Sequence, residues 1–154
     1  MLSKKTKYAL NALVYLARQA VKYDKKPVLI SEIAREQRIP QKFLELILLE
    51  LKNAGILSSK KGKGGGYYLL RPAQEVDIAD IIRLFEGAIA LLPCATHKYY
   101  ERCEECTDER TCGIRALFKE LRDETVKLLK QNTLADLLQR EEDLKAIQNE
   151  GLVE

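Results

Sequence analysis

The stretch SEIAREQRIPQKFLELILLELKNAGILSSKKGKGGGYYLLRP, residues 31–72, decides the fold. SEIAREQRI predicts a short helix capped by Ser31, with Glu32 in its first turn and Ile33, Ala34 and Ile39 facing inward. Pro40 ends it, because the proline ring excludes a helical hydrogen bond. QKFLELILLELKNAG predicts the next helix, with Phe43, Leu44, Ile47, Leu48 and Leu51 as its buried stripe and Gly55 as its stop. Two short helices across a tight Ile-Pro turn have the form of a helix-turn-helix. GILSSKKGKGGGYYLLRP then reads as strand, turn and strand: Ile56 and Leu57 open one strand, and YYLLR is the other. Tyr67 and Tyr68 point to opposite faces of that strand, so one of them packs inward. The turn SKKGKGGG holds four glycines and three lysines. A hairpin turn needs positive φ, which glycine adopts at little cost. Four glycines exceed that need, and bare backbone between lysines suits the approach of a phosphate. No Gly-Lys-Ser/Thr leads into a helix here, and Tyr67 stands where a dinucleotide loop needs its last glycine. A helix-turn-helix followed by a basic hairpin is a winged helix.

Ahead of this unit, KKTKYALNALVYLARQAVKY carries Tyr8, Ala9, Ala12, Leu13, Leu16, Ala17 and Ala20 on one helical face. KKPVLI is a short extended link. After Pro72, Asp77 starts the helix DIADIIRLFEG, with Ile78, Ile81, Ile82 and Phe85 inward and Gly87 as its stop. A long helix begins near Gly113, and Ile114, Leu117, Phe118, Leu121, Leu128 and Leu129 recur at near-heptad spacing along it. Such a stripe outside a small domain asks for a partner, and a dimer helix is the reading favoured over an intramolecular bundle helix. Thr133 opens a more polar last helix, and residues 149–154 are expected to fray. The expected architecture is mainly α with a small β-hairpin wing. It comprises a winged helix-turn-helix domain with its following helix over 1–86, a cysteine-rich loop over 87–112, and dimerisation and C-terminal helices over 113–154.

The chain has 154 residues and a net charge of +3. That total hides an asymmetry: residues 1–72 hold 15 Lys and Arg against 5 Asp and Glu, whereas residues 73–154 hold 11 against 18. A basic half beside an acidic half points to a polyanionic partner for the first. No apolar run approaches the roughly 20 residues that cross a bilayer, and MLSKKTKYAL lacks the apolar core of a signal peptide. The expected location is the cytoplasm, with no membrane partner. No nucleophile–base pair or paired carboxylates stand out, so neither an enzyme nor a small-molecule substrate is expected.

Cys94, Cys103, Cys106 and Cys112 fall within nineteen residues, beside the only histidine, His97. In a reducing compartment such clustering reads as metal binding or redox sensing rather than a structural disulfide. Cys103 and Cys106 form a C-x2-C pair, and Cys112 heads the long helix, where the helix dipole favours a thiolate. Four thiolates suit zinc or an iron–sulfur cluster, so the ligand type alone leaves both open. An iron–sulfur electron-transfer protein would use the same loop, but it has no need of a recognition helix and basic wing.

The first helix KYALNALVYLA, the segment 31–57, the wing KGKGGGYYLLRP and a cysteine loop before a long helix together resemble the Rrf-II family of bacterial winged-helix regulators. The likeness runs to about residue 140, and Gly64-Gly65-Gly66-Tyr67 ahead of Leu69, Arg71 and Pro72 is its most specific part. It implies a homodimeric transcription regulator that binds double-stranded DNA. In the cluster-binding branch three cysteines hold an iron–sulfur cluster, and Cys94, Cys106 and Cys112 fit those positions. Arg115 stands where one branch has a ligating histidine, and the first helix lacks the aspartate of another. Arginine stays protonated and cannot ligate. Cys103 therefore takes the fourth position, with His97 behind it, and a 2Fe–2S cluster is the expected cofactor, zinc or none the alternatives. Gln41, Lys42 and Glu45, at the start of the recognition helix, are expected to read bases. Lys60, Lys61, Lys63, Gly64, Gly65, Gly66 and Tyr67 are expected to meet the backbone or the minor groove from the wing, with Lys4, Lys5 and Lys7 as further backbone contacts.

Overall fold

A computed structural model describes residues 1–151. Helix α1 spans Lys4–Tyr23, α2 Ile30–Gln37, α3 Gln41–Asn53, α4 Ile78–Glu86, α5 Gly113–Lys130 and α6 Leu134–Glu150. Strands β1, Leu57–Lys60, and β2, Gly66–Leu69, pair antiparallel with Leu57 opposite Leu69 and Lys60 opposite Gly66. The winged-helix expectation holds, with six helices and one hairpin among the described residues. No described helix is long and apolar enough to cross a membrane.

Helix α1 is the centre. Ala9, Ala12, Leu13, Leu16 and Ala17 are buried, and α2, α3, α4, α6 and β2 all pack on α1. Small alanines let the neighbouring backbones come close, and leucines fill the gaps. Leu44, Ile47, Leu48 and Leu51 bury the inner stripe of α3. Truncating one such leucine to alanine costs about 2–5 kcal/mol. The Tyr15 hydroxyl donates to Glu32 at 2.8 Å, joining α1 to α2. Burial first, and then that carboxylate, push its pKa up to about 12.

Two expectations about the helix-turn-helix are corrected. Ser31 does not cap α2: the N-cap is Leu29, with no side-chain cap bond. The reason lies upstream, where Val28 exchanges two 2.8 Å backbone hydrogen bonds with Tyr67 and is fixed as a third, one-residue strand beside the wing. The chain turns into the helix immediately after it. Phe43 is not part of the buried stripe but 57% exposed, because α3 is apolar on more than one face and only one can meet α1. Helix α2 stops at Gln37, ahead of Pro40. Arg38 takes a left-handed conformation, φ 52 and ψ 43, and Ile39 donates back to the Ala34 carbonyl at 2.9 Å. This is a Schellman closure, usually made by glycine, and a Cβ there costs about 1 kcal/mol. Pro40 is then the N-cap of α3.

Helix α6 turns back on α1. Thr133 and Asp136 form a capping box, and Leu134 is fully buried in the core around α1. Ile78 donates to Asn132 O and Leu134 to Val76 O, each at 3.0 Å, stitching the α5–α6 corner to the start of α4. The helix continues through Glu150, past the point where fraying was expected to begin, and residues 152–154 of that expectation lie outside the described residues. At the other end of α4, Glu86 accepts from the Ser3 amide and hydroxyl, at 2.8 and 2.6 Å, and from the Thr6 hydroxyl, locking the start of α1 to the end of α4.

Candidate nucleic-acid interface and cysteine loop

Gln41, Lys42 and Glu45 stand exposed on the first turns of α3. Leu49, 48% exposed, continues the Glu45 face one turn on. Leu49 lies outside the expected buried stripe of α3, and its i+4 spacing from Glu45 sets it on the same outward face. The wing flanks this helix. Lys52 at the end of α3 donates to the Ser59 hydroxyl of β1 at 2.6 Å, which ties the hairpin to the recognition helix.

Lys60, Lys61 and Lys63 are exposed around the wing turn. Many other basic residues of the first half are engaged: Lys5 with Glu50, Arg18 with Glu141, Arg35 with Glu36, and Arg71 with the Glu75 carbonyl. Lys5, one of the expected backbone contacts, has its ammonium 2.6 Å from Glu50 and over the Phe85 ring. Arg38, Lys42 and the three wing lysines have no hydrogen-bond or ion-pair partner among the described residues. Lys4, Lys7, Lys22 and Lys25, on α1 and just after it, are likewise without one, so the unpaired positive charge of the first half is shared between α1, the corner at Arg38, the start of α3 and the wing.

The wing glycines have local reasons to be glycine. Gly64 has φ +72 in open space. A Cβ on Gly66, φ +139, would stand 2.2 Å from the Val28 carbonyl oxygen, and one on Gly65 would stand 2.3 Å from that of Lys60. Gly66 is thus required by hairpin closure against Val28, Gly65 by the tightness of the turn itself, and Gly64 by its positive φ alone. Tyr67, on the Leu69 face of β2, is half-buried against the core and carries the bridge to Val28.

The cysteine loop lies against the N-terminal half of α5. Cys94 is buried in a short turn, Pro93–Ala95, whose last two carbonyls face α5. Arg115 Nε donates to the Cys94 carbonyl at 3.0 Å, and Arg122, 6% exposed, donates to that of Ala95. Arg115, which cannot ligate, thus pins the first cysteine's backbone. Cys112 is the N-cap of α5, and its sulfur accepts from the Arg115 amide at 3.5 Å. Cys106 neighbours Cys112, and partial desolvation followed by that neighbour pushes its thiol up. The Cys103 thiol is exposed and donates to Glu105 at 3.1 Å, a bond that raises its pKa. His97 is exposed, 3.9 Å from Asp123. All four thiols are free, and among the described residues no three Cys, His, Asp or Glu side chains converge in metal-binding geometry. The donor chemistry fits a soft metal; the arrangement sets Cys106 beside Cys112.

On the outer face of α5, Ile114, Leu117, Leu121 and Leu128 are 45–66% exposed. Leu121 also lines a groove of about 570 Å³, together with Leu2, Ile82, Ile89, Phe118 and Leu129.

A helix-turn-helix braced to a basic hairpin is the architecture of DNA-binding transcription regulators. The family model Rrf2, described as an iron-dependent transcriptional regulator, matches residues 2–140. The rrf2-like HTH-type transcriptional regulator of Rhodobacter capsulatus is 41% identical over 138 residues, covering 90% of this chain and 92% of its own. The HTH-type transcriptional regulator NsrR of Oceanobacillus iheyensis is 30% identical, with 95% of each chain covered. Among solved structures, CymR, the global cysteine regulator of B. subtilis, superposes with a TM-score of 0.74 at 28% identity, over 91% of this chain and 97% of that one. The chain belongs to the Rrf2 family, whose members are transcriptional regulators that bind DNA and are not enzymes.

Proposed function

We propose that the protein is a homodimeric, sequence-specific DNA-binding regulator of the cytoplasm whose DNA affinity responds to an iron–sulfur cluster held by Cys94, Cys103, Cys106 and Cys112. The observation that carries the DNA reading is the wing with its three exposed lysines, braced to the recognition helix by the hydrogen bond from Lys52 to Ser59. Gln41, Lys42 and Glu45 read base edges: an amide suits adenine and a carboxylate accepts from cytosine. Lys60, Lys61 and Lys63 neutralise phosphates, while Gly64, Gly65, Gly66 and Tyr67 shape the hairpin that carries them. The exposed stripe of α5 supports the dimer. Ile114, Leu117, Leu121 and Leu128 form an apolar face that a second copy would cover, and two-fold pairing implies a palindromic operator.

Soft thiolate donors support the cluster, as does the family's iron dependence. Bound there, a 2Fe–2S cluster would supply one-electron chemistry and sensitivity to oxidants. The chain's own part is mechanical: Arg115 and Arg122 hold the Cys94 turn on α5, and Cys112 caps the same helix. The test is anaerobic purification with iron, sulfide and zinc analysis and an absorption spectrum, together with binding-site selection from random duplexes. A red-brown protein with stoichiometric sulfide, selecting a palindrome, is expected. Colourless protein with one zinc would replace the cluster by a structural metal, and metal-free thiols by a thiol switch. Failure to select or retain any duplex would remove the DNA reading.

A further inference from the structure

Arg38 occupies the corner between α2 and α3, two residues ahead of the N-cap Pro40. Arg38 and Asp24 are the described non-glycine residues with positive φ. Glycine would make the same Schellman closure without strain. Below the corner, Ile39 is buried in the core, which pins the turn and leaves the Arg38 side chain in solvent. The fold makes no use of its guanidinium: it has no hydrogen-bond or ion-pair partner among the described residues. The nearest carboxylates in sequence are taken, Glu32 by the Tyr15 hydroxyl and Glu36 by Arg35. A permanently charged, planar group with five donors is thus presented, unneutralised, beside the first turn of the recognition helix. That group matches the oxygens of a phosphodiester bidentately.

The geometry points to Arg38 as a phosphate-binding residue that clamps the DNA backbone where α3 enters the major groove. It is a positioning contact: it fixes how deep and at what angle α3 sits, and it carries no base preference of its own. The assignment rests on the DNA-binding reading proposed above and extends the interface beyond the wing to the helix-turn-helix corner.

The test uses the full-length protein and the duplex it selects from random sequence, with affinity measured by fluorescence anisotropy against salt concentration. Arg38→Gln keeps the Cβ and the stem but not the charge, and Arg38→Gly also removes the strain. Both are expected to bind on the order of tenfold more weakly. Both should lose about 0.9 from the slope of log affinity against log salt, the value of one phosphate contact. Both should reselect the wild-type sequence, and Arg38→Gly should melt no lower than wild type. A slope for Arg38→Gln equal to that of wild type overturns the assignment, whatever Arg38→Gly does, and so does an altered sequence preference. If wild type itself holds no duplex at low salt, the DNA reading falls with it; if wild type binds and only the variants show no effect, Arg38 alone is at fault.

Discussion

Gly66→Ala should be among the most damaging small substitutions in the wing, for a reason unrelated to DNA. The new methyl would lie 2.2 Å from Val28 O and 2.4 Å from Val28 C. Backbone cannot rotate out of the way as a side chain can, so Val28 must retreat by roughly 1 Å to reach ordinary contact distance. That retreat breaks the two 2.8 Å hydrogen bonds joining Val28 to Tyr67. Each is worth about 1 kcal/mol, and φ +139 adds about another 1 kcal/mol for a residue with a Cβ. The expected loss is about 3 kcal/mol, or roughly 6–12 °C in melting temperature for a chain of this size. Gly64→Ala is the internal control. It shares the positive φ, +72, but has nothing within 4 Å, so only about 1 kcal/mol of strain is expected. Urea unfolding followed by far-UV circular dichroism, with equal m-values for both variants, measures the difference. Stabilities for the two variants within about 0.5 kcal/mol of each other, a margin typical of surface substitutions, would refute the closure argument and return the glycines to a purely DNA-facing role.

Replacing Lys60, Lys61 and Lys63 together with alanine should flatten the salt dependence of DNA binding by up to about 2.7 in slope, and an unchanged slope would take the wing off the phosphates. Leu117→Glu with Leu121→Glu should yield a monomer by light scattering at micromolar concentration, since each leucine buried at a dimer interface contributes roughly 2 kcal/mol; a persistent dimer would mean another interface. Serine at Cys94, Cys106 or Cys112 should each abolish visible absorption and shift DNA affinity. Cys103→Ser with full absorption would exclude the four-cysteine set. Hydrogen bonds from Ser3 and Thr6 hold the Glu86 carboxyl below its usual range. A depressed folded pKa contributes stability that is complete above the unfolded value, near 4.5, and lost as pH falls through the folded one. Glu86→Gln should therefore flatten the acid limb of a stability–pH curve below about pH 4.5; a limb as steep as wild type would assign the loss to other carboxylates.

Much of the fold was legible because period and punctuation agreed. Leu44, Ile47, Leu48 and Leu51 recur at helical spacing and are buried, and Thr133 and Asp77 cap the helices they were expected to open. Ser31 misled because capping is decided by where the chain enters the helix, and a single bridge from Val28 to Tyr67, 39 residues away, fixes that entry. Phe43 misled because α3 is apolar on more faces than it can bury; which face wins depends on α1, not on the helix itself. Lys5 pairs with Glu50, a residue 45 positions along the chain, which local spacing does not foretell. The cysteines were legible as a cluster in sequence, but their positions depend on Arg115 and Arg122 reaching across from α5, and spacing carries no trace of that.

Those two arginines also bear on how a change in the loop could reach DNA. Helix α5 has 18 residues, a rod of about 27 Å. Its C-terminal end is fastened to the winged domain by the backbone bonds of Ile78 and Leu134 and by the burial of Leu134. Its N-terminal end is fastened to the cysteine loop by the Arg115 guanidinium and the Cys112 cap, and its middle by the Arg122 guanidinium on the Ala95 carbonyl. The first attachment shares the core and cannot yield without unfolding it; the second is partly exposed and depends on a loop rich in exposed polar residues. Of the two attachments the C-terminal one is the more firmly anchored in the core, so the cysteine end is the one expected to move. A tilt of about 5° about the C-terminal end displaces the N-terminal end of the rod by about 2 Å. In a dimer paired through α5, such a tilt on both sides of the two-fold axis changes the separation of the two recognition helices, and operators with a fixed half-site spacing are sensitive to that separation. The proposed sensor therefore has no need to alter α3 or the wing: moving the end of one helix on which both copies meet is sufficient.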